Sequence, residues 1–72
     1  MHIIKIDNKS YAINLLKFPD ERTGYWAVTY VNGRRVRVES SPDIKDLDKA
    51  EKDVLVKMES EILSTLKEQN DQ

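Results

Sequence analysis

The dipeptide Asn32-Gly33, set between two runs of strand-forming residues, Tyr25 to Val31 and Arg34 to Glu39, narrows the folds open to this chain more than any other feature. Asparagine and glycine tolerate positive φ, which tight antiparallel loops demand, so the pattern is a strong local signal for a β-hairpin. The hairpin over Gly24 to Ser40 is the stretch around which the rest of the chain is read.

Its register has two solutions, and a one-residue slip would move a strand's whole side-chain set to the other face. A two-residue turn pairs Tyr30 with Arg35 and Val28 with Arg37, which sets Trp26, Val28 and Tyr30 beside two arginines. A three-residue loop, Val31-Asn32-Gly33 with Gly33 as a left-handed bulge, pairs Tyr30 with Arg34, Val28 with Val36 and Trp26 with Val38. The second separates apolar from polar more cleanly and is the expected register. It turns Trp26, Val28, Tyr30, Val36 and Val38 inward and Tyr25, Ala27, Thr29, Arg35, Arg37 and Glu39 outward. Arg35 and Arg37 share a face in both.

Upstream, His2 to Ile6 reads as a short strand, Asp7-Asn8-Lys9 as turn residues, and Ser10 to Lys17 as a second strand. Pro19, which has no N–H for a ladder, opens a polar connection that runs to Gly24. Downstream, Ser40 to Asp43 closes the last strand, and a loop or single turn is expected around 42–46. Ser41 with Pro42 offers one helix start, and Asp48 with Glu51 offers a capping box. Leu47, Ala50, Val54, Leu55, Met58, Ile62, Thr65 and Leu66 recur every three or four residues, the mark of one apolar helical stripe. The expected fold is α+β: an antiparallel β-meander of three or four strands packed against one C-terminal α-helix. It forms a single small domain over 1–72, with strands at about 2–6, 10–17, 24–31 and 34–40 and a helix at about 46–69.

Seventy-two residues, 39% of them hydrophobic and 35% charged, bury a thin core, which supplies only about 3–5 kcal/mol. There is no cysteine to staple it. Association with a second copy or a partner would add stability, and Val56 and Leu63, apolar residues on the outer side of the helix, are the candidate partner or dimer contact. A helix of this length is also expected to overhang the sheet in part, or to fray from Lys67 onward. No apolar run reaches the length that crosses a bilayer, and the N-terminus has no long apolar core of a signal peptide, so no membrane role and a cytosolic location are expected. The net charge of −1 hides a segregation: seven basic residues face three acidic ones in 1–38, whereas five lysines face ten acids in 39–72.

The residues argue against enzymatic chemistry. His2 is the only histidine, has no second ligand at useful spacing and is expected to be a solvated strand residue. The serines have no other base to serve them, and two glycines cannot build a phosphate loop. The helical acids, among them Asp53 near Lys57 and Glu59 near Lys52, are spaced as surface charges. No catalytic residue, metal ligand or cofactor is expected.

Binding remains. Lys17, Arg22, Arg34, Arg35 and Arg37, with Tyr25 on the outer face, compose a basic, aromatic-bearing surface suited to phosphates and base edges. Gly24-Tyr25-Trp26, then Asn32-Gly33-Arg34-Arg35, then Lys49-Ala50-Glu51 at a helix start resemble the AP2-like N-terminal arm-binding domain of phage and transposon tyrosine-recombinase integrases, over about residues 11–66. The resemblance implies a sheet that lies in the DNA major groove through Arg35, Arg37 and their outward neighbours, in a stand-alone relative carried by a phage or mobile element. The leading expectation is therefore a non-enzymatic nucleic-acid-binding module. The alternative is a protein-interaction module, a small inhibitor or adaptor that binds a host protein through its acidic helix or a strand edge, with a homodimer as one form of it.

Overall fold

A computed structural model of the chain describes residues 2–70. Four strands, β1 (His2–Ile6), β2 (Lys9–Lys17), β3 (Tyr25–Val31) and β4 (Arg34–Glu39), precede one helix, α1 (Leu47–Asn70). The strands form a single antiparallel sheet in the order β1-β2-β3-β4. The helix lies on one face of it, chiefly over β3 and β4. This is the α+β meander expected from the sequence, with all four strands present.

Two tight turns set the pairing. Asp7 and Asn8, at φ 50° and 67°, bring Ile6 opposite Lys9; Asn32 and Gly33, at 49° and 85°, bring Val31 opposite Arg34. Positive φ at both central residues defines a two-residue loop whose twist matches that of the flanking strands. The expected bulge at Gly33 is therefore absent. Tyr30 lies opposite Arg35, Thr29 opposite Val36 and Val28 opposite Arg37. Ala27, Thr29 and Val31 face the helix with Val36 and Val38, whereas Trp26, Val28 and Tyr30 face away, the reverse of the expected arrangement. Backbone geometry at the turn, and not the tidiness of the apolar pattern, decides the register. Small inward side chains suit it, since Ala27 and Val31 are fully buried. Thr29, expected to be solvated, is buried and donates its hydroxyl to the Ala12 carbonyl at 2.8 Å, so its polar atom is satisfied. Tyr25, also expected outside, packs half-buried against the core.

The core joins Ile6, Tyr11, Ile13, Ala27, Val31 and Val36 of the sheet to Val54, Met58 and Ile62 of α1. Ala50, Val54, Met58, Ile62 and Thr65 are the buried line of the helix, as the periodicity predicts; Leu47, assigned to the same stripe, is exposed in the first turn. Asp46 caps the helix, its Oδ1 accepting from the amides of Asp48 (2.9 Å) and Lys49 (3.4 Å). The expected capping box does not form. Glu51 instead meets Nε2 of His2 at 3.0 Å, so His2 ties β1 to the helix and is not merely a solvated strand residue.

Both ends of β4 are fastened to α1. Lys57 Nζ donates to the Glu39 carbonyl at 3.2 Å and to Ser41 Oγ at 2.9 Å, and Arg34 Nη1 meets Glu68 Oε2 at 2.8 Å. The helix from Lys57 to Glu68 and the strand from Arg34 to Glu39 each run about 17 Å, so the helix spans β4 antiparallel to it. Gln69 then donates to the Val31 carbonyl (3.0 Å) and accepts from Asn32 Nδ2 (2.9 Å), while Lys9 Nζ donates to Asn32 Oδ1 (2.8 Å). The segment from Lys67, for which fraying is one of the two expectations, stays helical to Asn70, with Glu68 and Gln69 tied to the hairpin; Asp71 and Gln72 lie outside the described residues. Among the described residues no helix is long and apolar enough to cross a membrane.

At the opposite end, Asp53 Oδ2 accepts from the Ser41 amide at 2.8 Å and pairs with Lys57 at 2.9 Å. The Lys57 ammonium, and next the Ser41 amide, hold the Asp53 carboxyl below its ordinary range. Gly24 enters β3 at φ 143°, and a Cβ there would run into Ser40 Oγ and come within 3.2 Å of the Phe18 ring. Around Gly33 the space is open.

Two stability measurements follow from these contacts. Gly24→Ala should lower the unfolding free energy by about 1–3 kcal/mol through backbone strain, with the collision adding to it. Gly33→Ala should cost about 1–2 kcal/mol from the left-handed backbone alone, so its denaturant midpoint should fall less. Because the native Asp53 pKa is depressed, its contribution is complete above the ordinary aspartate value of about 3.9 and is lost as pH falls through the native value. The stability of the parent protein should therefore drop more steeply below about pH 4 than that of Asp53→Asn, measured by urea denaturation across that range.

Candidate nucleic-acid interface

Strand side chains alternate between faces, and α1 occupies only one. The other is an open sheet face among the described residues. The register places Ile3 opposite Ala12, Leu16 opposite Trp26, Asn14 opposite Val28, Val28 opposite Arg37, and Tyr30 opposite Arg35 on this side, with Glu39 across from Trp26. Lys5 lies two residues beyond Ile3 on the same face. Tyr30 is 61% exposed and Ile3 62%, whereas Val28 is buried beneath its neighbours without belonging to the core cluster.

The charged groups of this face are unequal in number and differently engaged. The Arg37 guanidinium lies over the Trp26 ring, 4.9 Å from its centroid, and Nη1 meets Glu39 Oε1 at 2.8 Å. An exposed cation–π contact of this kind contributes about 0.5–1 kcal/mol, so the long side chain is laid flat on the sheet in advance of any ligand. Arg35, beside Tyr30, has no ion pair among the described residues. Lys5, Arg35 and Arg37 against Glu39 leave the face basic.

Of the six residues assigned from sequence to a nucleic-acid surface, only Arg35 and Arg37 share this face. Lys17 pairs across the ladder with Tyr25 on the opposite side. Arg34, paired with Val31, turns to the helix and Glu68. Arg22 sits in the connection between β2 and β3, its guanidinium 4.3 Å above the Phe18 ring and its Nε 2.9 Å from Asp20 Oδ2. Their hydrogen bond draws Asp20 below its ordinary pKa and raises that of Arg22, so this cation is already matched locally. Val56 and Leu63, 68% and 49% exposed, lie on the solvent side of α1, in the layer away from the open face. Trp26, Tyr30 and Lys5 join this face beyond the residues expected there, and the sequence signal for the two aromatics is the tolerance of Asn-Gly for the positive φ that a two-residue turn requires at both positions.

A shallow cleft of about 210 Å³ opens at the loop end between Phe18, Arg22, Glu39, Pro42 and Lys45. Its acid and one of its bases are those already engaged with Arg37 and Asp20. Among the described residues no group of three or more histidine, cysteine, aspartate or glutamate side chains is placed to hold a metal ion. No protein-family model matches the chain, and no curated protein or solved structure is significantly similar to it.

Proposed function

We propose that this protein is a non-enzymatic module that binds nucleic acid through the sheet face that α1 leaves uncovered. The observation that carries the reading is the convergence of Trp26, Tyr30, Arg35 and Arg37 on one side of the β3–β4 hairpin. Guanidinium groups make bidentate, charge-assisted bonds to phosphate, and exposed aromatic rings give bases a surface. The sequence resemblance to integrase arm-binding domains points the same way, toward a module of the phage or mobile-element kind. Lys17, Arg22 and Arg34 lie off this face and act through the long-range field alone. The acids concentrated on α1 are in the opposite layer, so repulsion between helix and phosphate orients the sheet toward the ligand.

A second reading, a small inhibitor or adaptor that docks on a host protein, is favoured by Ile3 and Leu16, both exposed beside the aromatics, because aromatic residues and arginine are enriched at protein interfaces. Val56 and Leu63 would then be a further partner contact or a homodimer seam. The surplus of cations on the open face gives the polyanion precedence.

Fluorescence anisotropy with labelled nucleic acid at low and at physiological salt tests the leading reading. Binding should weaken steeply with salt. Arg35→Ala combined with Arg37→Ala should cost roughly tenfold or more in affinity and lessen the salt slope by about two, with an unchanged circular dichroism spectrum. No binding at low salt, or undiminished binding by the double variant, would refute it.

A further inference from the structure

We infer, on the basis of the nucleic-acid reading above, that the ligand is an unpaired strand whose bases stack on the Tyr30 ring and the Arg37 guanidinium. Width argues first. Three inter-strand gaps of about 4.8 Å make the four-stranded face about 14 Å across before its side chains are counted, whereas the major groove is about 12 Å wide. The whole face is too broad to enter a duplex groove flat, although the edge ribbon β3–β4 alone would fit one; a stacked duplex, however, has no free base surface to offer a ring that stands out from a sheet.

The arrangement of the platforms argues second. Tyr30 lies opposite Arg35, and Arg37 is the residue two further along β4, so Tyr30 and Arg37 are diagonal neighbours, about 7–8 Å apart. Each presents a flat π surface: Tyr30 by its exposure, Arg37 because Trp26 supports its inner side while 45% of its side chain remains in solvent. Two successive unstacked bases fit two such platforms, since bases stack on aromatic rings and on arginine planes alike. Arg35, directly opposite Tyr30 and two residues from Arg37, and Lys5 across the sheet are placed for the phosphates. Asn14, exposed opposite Val28 on the same face, brings a donor and an acceptor to base edges.

Trp26, the only tryptophan, reports on the site by its own fluorescence because Arg37 lies on it. A pyrimidine single strand of DNA, its RNA counterpart and a duplex of equal length are titrated into the protein at low salt. The single strands should bind roughly tenfold tighter than the duplex and alter Trp26 emission, and the DNA and RNA arms show which backbone is preferred. Tyr30→Leu should lose roughly tenfold of single-strand affinity with an unchanged salt slope, whereas Tyr30→Phe, which keeps the ring, should stay within about twofold of the parent. Because Tyr30 is exposed, thermal melts should confirm that both variants fold. Duplex bound as tightly as single strand, or full binding by Tyr30→Leu, would overturn this inference and leave the nucleic-acid reading standing, provided the paired arginine variant loses affinity. Failure of every probe to bind would remove both.

Discussion

With positive φ at both Asn32 and Gly33, the loop between β3 and β4 has room for two residues, and every pairing across the hairpin follows from that count. The count sends Ala27, Thr29 and Val31 toward the helix, where their small size allows α1 to settle closely on β3 and β4. It sends Trp26 and Tyr30 the other way, onto the face that carries Arg35 and Arg37. Asn32 also uses its side chain, accepting from Lys9 and donating to Gln69. One residue therefore joins the first turn, the second hairpin and the end of the helix, so the geometry that sets the register is held in place by the layers it organises.

How much of this was legible in the sequence varied with the range of the deciding interaction. Strand and helix identities came from local periodicity, and each element appears within one residue of its expected bounds at either end, as with Leu47–Asn70 for the helix. The hairpin register was readable from the turn residues but was assigned from the apolar pattern, which favoured burying Trp26 and Tyr30. That preference presumes that the largest apolar side chains go inside. Here Ile13, Met58 and Ile62 fill the core with Tyr25 packed against it, and Trp26 and Tyr30 are surplus to it. The cap at Asp46 and the role of His2 were illegible for another reason. Glu51 had two partners within reach, the amide of its own helix and a residue 49 positions earlier on β1, and sequence spacing describes only the first.

The division of charge along the chain becomes a division between layers. The basic first half builds the sheet and the acidic second half builds α1, but two of the arginines are already engaged off the open face: Arg34 with Glu68 on the seam, where His2 also meets Glu51, and Arg22 with Asp20 in its own loop. The arginines left on the open face are therefore fewer than their count implies, Arg35 and Arg37 on β4. For the same reason a slightly acidic overall composition is compatible with a face that attracts anions, because the helix carries its negative charge on the other side of the molecule.

The order of elements along the chain also has a temporal side. All four strands precede α1, and the groups that fasten the helix to the hairpin, Glu68 and Gln69, are among its last residues. During synthesis at about 5–20 residues per second, the sheet's inner surface, with Ile13, Val31 and Val36, waits on the order of seconds for its cover. A sheet formed in that interval would have both faces bare, and protection against association with other chains would fall to its outer strands. β1 is short and carries Lys5, and β4 brings Arg34, Arg35 and Arg37, charges that disfavour the addition of a foreign strand. Arg35 and Arg37, proposed above as contacts for an anionic ligand, would thus also guard the unfinished sheet.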